Sequence, residues 1–184
     1  MWQVLLYISP FTVSLFIGIV TALCGIGAWC YHRTEGRGLV TLARILLSSW
    51  ALLVLVATLL PTQPLGTGGY DISWVPGEGM WEASGNGGAG LFPEERQMIF
   101  QLQIANAAMF VPMAALARFS VQQASVLEIS AACLLASVAI EVTQFLMAAG
   151  RTVDVDDVLF NTVGGILGAT IAWGTLRVAE IGTR

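Results

Sequence analysis

Residues 137–168 read SVAIEVTQFLMAAGRTVDVDDVLFNTVGGILG, and the fold turns on them. Glu141 lies inside apolar sequence long enough to cross a bilayer, where an ionised acid at the helix centre costs about 2.5–3.5 kcal/mol on insertion scales. Such a residue needs partners. Ser137, Glu141, Gln144 and Ala148 follow at intervals of four, three and four, which sets them on one helical face and predicts that they meet one partner together. Gly150 ends the pattern. A second helix is expected to begin within Asp154-Val-Asp-Asp157, because an aspartate there caps free backbone N–H groups and opposes the helix dipole. Asp157, Asn161, Gly164 and Gly168 share a face of that helix, and the Gly164-x-x-x-Gly168 spacing admits a neighbouring backbone at close range in a membrane. The expected product is a helical hairpin whose outer end gathers Glu141, Gln144, Arg151, Asp154, Asp157 and Asn161.

The rest of the composition agrees with a membrane setting. Hydrophobic residues make up 56% of the 184 and charged residues only 11%, with a mean hydropathy of +0.76, whereas soluble domains are about one quarter charged. A bilayer span takes about 20 apolar residues, and five charge-poor stretches approach that length. The sequence therefore predicts an all-α polytopic membrane bundle of about five spans, forming a single domain over residues 1–184. A net charge of −4 with no basic run argues against nucleic-acid binding. Cys24, Cys30 and Cys133 fall inside expected spans, where a thiol acts as a small hydrophobe, so no disulfide framework is implied.

Toward the N-terminus, the first 31 residues carry no charged side chain and lack the positive start of a secretory signal, so they are read as a retained span. His32 beside Cys30 is read as interfacial, since a metal site would lack further ligands. The second span, about 39–60, ends at Thr58-Leu-Leu-Pro61, where proline interrupts the hydrogen-bond ladder. Residues 62–96 hold nine glycines between Gly66 and Gly90 and are expected to form a flexible extracytoplasmic loop at the interface. Gly85-Asn-Gly-Gly-Ala-Gly90 has the spelling of a dinucleotide fingerprint without the strand and helix that such a site requires. The third span, about 97–117, places Gln103, Asn106 and Phe110 on one face. Pro112 leaves backbone groups there for another helix to satisfy. The last two spans are expected at about 125–148 and 158–176.

All eight basic residues counted with lysine are arginines. With the loop after the first span in the cytoplasm, Arg33, Arg37, Arg44, Arg118, Arg177 and Arg184 lie inside, and Arg96 and Arg151 outside. The N-terminus is then outside and the C-terminus inside, and the polar residues of the last three spans converge in the outer half of the bilayer.

Taken together, Asn106-x-x-x-Phe110-x-Pro112, Ile140-Glu141-x-x-Gln144, Arg151 and Asp154-x-Asp156-Asp157-x-x-x-Asn161-x-x-Gly164 resemble the VanZ-like membrane family. Thr58-Leu-Leu-Pro61 adds to the likeness, which covers about 58–173. The chain departs from that pattern in having no glycine directly after Pro112 and a longer Gly66-to-Gly90 loop. The resemblance implies a multi-pass protein of the bacterial cytoplasmic membrane with a role in low-level resistance to the glycopeptide teicoplanin.

Two classes of function fit these residues. In one, the protein binds or shields an amphiphilic glycopeptide or an envelope lipid without turnover. Arg151 then holds an anionic headgroup through its planar fork, and Asn106, Gln144, Asp156 and Asn161 complete a polar pocket. In the other, it is a membrane enzyme on a lipid-linked or cell-wall substrate, with Glu141 as general acid or base and Asp154 or Asp157 polarising the substrate. No nucleophile–base pair is legible, which favours binding. Pro112, Gly164 and Gly168 are expected to serve helix packing. No cofactor motif is present. Three acids within four residues suit Ca²⁺ or Mg²⁺ in oxygen chemistry, whereas Arg151 beside them suits internal pairing, and the sequence leaves a metal open.

Overall fold

The computed structural model describes residues 14, 16, 18–23, 25, 26, 29, 37–61, 63–68, 70, 72–77, 93–150 and 152–181. Four long helices carry the fold: α1 (Arg37–Leu59), α2 (Pro93–Ser120), α3 (Val126–Met147) and α4 (Val155–Ile181). Each contains a stretch of 20 or more residues that is apolar enough to cross a membrane. The chain is a helical membrane bundle. The expected first span falls largely outside the described residues, although residues 18–23 are helical. His32, Cys24 and Cys30 also lie outside them.

Local sequence sets the helix ends. Ser125 and Glu128 form a reciprocal capping box at the start of α3, and the helix stops where Ala148 turns left-handed at φ 43°. α4 starts directly after Asp154, whose Oδ1 accepts the Asp156 N–H at 2.9 Å as a capping carboxylate should.

Helix packing differs from the expected hairpin in one respect. The glycine face of α4 lies against α2: a side-chain carbon on Gly164 would collide with the Ala107 carbonyl, and one on Gly168 with the Val111 carbonyl. Residue numbers rise together along this contact, so α2 and α4 run parallel with their backbones touching. α3 meets α4 at the intervening Gly165, where an added carbon would strike Cys133. Alanines continue the close approach, with Ala114, Ala169 and Ala172 fully buried. Small residues are what an apolar solvent selects, since helices in lipid gain from contact rather than from escaping water. Leu52, Leu135, Leu146 and Val178 point outward instead, and the bilayer is the medium that covers them.

Pro112 removes one backbone donor from α2, and α1 supplies another nearby. The Trp50 indole N–H donates to the Met109 carbonyl at 2.9 Å, three residues before the proline. Trp50→Phe keeps the apolar bulk and loses this bond, and is expected to cost about 0.6 kcal/mol, the average for polar links between membrane helices. A thermal melt in detergent should register it as a fall of about 1–2 °C.

The described part of the segment between α1 and α2 is tied to the α3–α4 turn at several points. Gly66 N–H donates to the Met147 carbonyl at 3.0 Å, and Gly68 N–H to the Ala148 carbonyl at 2.7 Å. Tyr70 leans on Phe145 with ring centres 5.1 Å apart. Strand β1 (Ile72–Ser73) then pairs in parallel with β2 (Val153–Asp154), Ile72 opposite Val153. The described residues between Gln63 and Gly77 thus form a strap held to the α3–α4 turn by main-chain hydrogen bonds and the β1–β2 pairing, over a stretch that the sequence reads as a flexible loop. Glycine is required for it: a side chain on Gly68 would strike the Gly150 backbone. Trp81 and the Gly85–Gly90 run lie outside the described residues.

Candidate functional site

Every member of the predicted polar stripe on α3 is buried, yet its members meet different partners. Ser137 is fully buried, and its Oγ accepts from Asn161 Nδ2 on α4 at 2.8 Å. Gln144 Nε2 reaches α1 and donates to the Thr58 carbonyl at 3.0 Å. Glu141 is 4% exposed, and its Oε2 accepts the Asp154 N–H at 3.3 Å. Ala148 closes the helix. The expectation of one shared partner is corrected by these contacts: the stripe ties α3 to α1, to α4 and to the turn.

The three aspartates also separate. Asp154 caps α4. Asp156 is buried and accepts the Gly77 N–H on both oxygens, at 3.0 and 2.9 Å, fastening the end of the strap. Asp157 turns to α2, where Asn106 Nδ2 donates to its Oδ1 at 2.7 Å and the Gln103 side chain also bonds it. With the carboxylates directed three ways, no group of three or more His, Cys, Asp or Glu among the described residues is arranged to hold a metal ion. Arg151 lies outside the described residues.

Two contributors were not singled out by sequence reasoning. The Thr58 carbonyl and Gly77 N–H are backbone groups, whose role no side-chain pattern announces. Gln103 carried a signal, its place on the Asn106 face of α2.

Beside this polar core runs a groove of about 440 Å³. One wall is α3, with Val138, Val142 and Phe145; the other is the strap and the start of α4, with Ile72, Trp74 and Val158. Glu141 and Asp154 line it where the walls meet. An apolar trough of this size, with Glu141 and Asp154 among the residues that line it, suits the apolar part of an amphiphile. A second groove of about 300 Å³ lies between α1 and α3, lined by residues such as Val54, Leu55 and Ile140, and contains no ionisable group.

A model of the VanZ/LLP1 family matches residues 45–177. The chain belongs to that family. Neither the curated proteins nor the solved structures contain a match to it. The matched region takes in most of α1 and all of α2 and α3, and runs through the body of α4, so it includes every candidate site residue from Asn106 to Asn161. Within the matched region the geometry separates two kinds of candidate residue. Asn106, Gln144, Asp156, Asn161, Gly164 and Gly168 hold helices and strap together, whereas Glu141 and Asp154 both join that network and line the groove. Membership and the four apolar helices make the chain a multi-pass membrane protein.

Proposed function

We propose that this VanZ/LLP1 protein binds the amphiphilic part of an envelope molecule, a glycopeptide or a lipid, in the groove at Glu141 and thereby lowers teicoplanin susceptibility. The observation that carries the reading is the groove itself: apolar along its length, open beside α3, and lined by a carboxylate that is otherwise buried. The bacterial cytoplasmic membrane, with the turn end facing outward, is the setting in which such a site would meet envelope substrates.

Expression in a glycopeptide-sensitive Gram-positive host tests it. The wild type is expected to raise the teicoplanin concentration that stops growth, and to change the vancomycin concentration less. Val142→Trp, which fills the groove from an exposed position, should lose most of that protection. If the wild type, inserted in the membrane, leaves teicoplanin susceptibility unchanged, the resistance reading fails. Quenching of Trp74 by brominated lipid then decides whether the groove takes lipid instead.

The burial of Glu141 beside a substrate-sized groove also favours a second reading. A membrane enzyme on a lipid-linked or cell-wall substrate would use Glu141 as general acid or base, a role that requires proton transfer at a positioned side chain.

A further inference from the structure

Ser73 on the strap pairs with Asp154, and the Asp154 N–H reaches Glu141 Oε2 at 3.3 Å, so β1 stands beside the Glu141 carboxyl. Glu141 precedes Met147, the last residue of α3, by six positions, which is about 9 Å at 1.5 Å per residue. The 22 residues of α3 measure about 33 Å, close to the roughly 30 Å of a bilayer's hydrocarbon core, so this level falls inside lipid when α3 spans it. The groove continues inward along the flank of α3, from Phe145 to Val138. Non-helical backbone is tolerated at such depth where the protein bonds its polar groups, and here β1 pairs with β2 while Gly77 donates to Asp156. The strap's side chains suit lipid as well. Tyr70, Trp74 and Val75 are 65%, 73% and 57% exposed, an apolar and aromatic row on a segment outside any helix. Across the groove Val138 and Val142 are exposed, and Leu135 and Leu146 extend that face of α3, so the row is continuous with a helix flank that the bilayer covers.

We propose that the strap is a re-entrant wall embedded in the lipid leaflet at the α3–α4 turn, and that the groove behind it is a side entrance taking one hydrocarbon chain of a membrane lipid directly from that leaflet. The inference rests on the groove being the amphiphile site and names its occupant. Val142, exposed on the lipid side, stands at the entrance, while half-buried Val155 and Val158 form the floor and Ile72 the opposite wall. A chain sliding in from the leaflet exchanges one apolar surrounding for another. Its binding therefore comes from close contact with these walls, as between membrane helices, rather than from escape from water.

The test uses the full chain in phosphatidylcholine vesicles, with Cys24→Ala, Cys30→Ala and Cys133→Ala and a nitroxide attached through Val75→Cys. Collisions of the label with dissolved oxygen are expected to exceed those with a water-soluble nickel chelate several-fold, as for a label at Leu135→Cys on the open face of α3. A nickel-favoured label at Val75→Cys would place the strap in water and overturn the side entrance, leaving the glycopeptide reading of the groove untouched. Occupancy is read with a phosphatidylcholine that carries a diazirine on its chain. After illumination, the lipid adduct on residues 155–158, relative to that on Leu135, should fall several-fold in Val142→Trp, which obstructs the entrance. Val138→Trp obstructs the groove one turn deeper and serves if that variant does not fold. An undiminished ratio, with the strap in lipid, would overturn the chain as occupant. Neither readout involves teicoplanin, so loss of the resistance reading and loss of this one are seen separately.

Discussion

Gly164→Leu is expected to prevent the bundle from assembling as described. Even the first side-chain carbon at this position would overlap the Ala107 carbonyl, and the clash is with backbone, which has no rotamer to move away. Overpacking in a core commonly costs about 1–3 kcal/mol, and a steric conflict between two helix backbones belongs to the exceptional class above about 4 kcal/mol. That corresponds to a fall in Tm of at least about 8 °C, readable in detergent alongside Leu167→Ile, which changes an exposed, lipid-facing side chain and should melt within about 1 °C of the wild type. Parallel helices also share their outcome: Asn106 and Gln103 reach Asp157 only while α2 and α4 touch. Equal melting of the two variants would mean that the glycine face does not set the helix spacing.

Glu141→Gln is expected to lower teicoplanin protection to the level of cells without the protein, while Tm moves by less than the equivalent of about 1–2 kcal/mol. Glutamine keeps the size of the side chain and an oxygen able to accept the Asp154 N–H, so the turn end retains its links and only the charge and the proton are removed. Labelled teicoplanin or lipid separates the two functional readings. Loss of both binding and protection assigns the carboxylate to ligand recognition; intact binding with lost protection assigns it to proton transfer. A folded Glu141→Gln protein with full protection would remove Glu141 from the mechanism altogether.

The helices were legible in the sequence because lipid leaves a simple signal: long apolar runs, interrupted by Pro61, Gly150 and the capping aspartates. Expected bounds of 39–60, 97–117, 125–148 and 158–176 lie within a few residues of α1, α2, α3 and α4. Spacing also identified which side chains turn inward, since Ser137, Glu141, Gln144 and Asn161 are all buried. It did not identify their partners. Three residues on one face of α3 reach three different elements because a helix face is wide enough to touch several neighbours at successive turns, and period alone carries no information about which neighbour stands where. The same limit applies to Gly164 and Gly168. Their spacing predicted a close backbone and left open whose it was. The strap was the largest difference, for a physical reason. Gly66, Gly68 and Gly77 are compatible equally with disorder and with backbone passing hard against backbone, and the donors that fix the strap are main-chain N–H groups common to every residue.

The join between Gly77 and Asp156 also orders events in time. Seventy-nine residues separate the two ends of that bond. At synthesis rates of about 5–20 residues per second, the acceptor emerges about 4–16 s after the donor. During this interval α1, α2 and α3 can already enter the membrane, but the strap has no β2 to pair with and no carboxylate to hold its end. Ile72 and Trp74 therefore gain their groove-wall positions only once the start of α4 is in place, so a nascent chain halted before β2 has inserted helices without the groove between α3 and the strap.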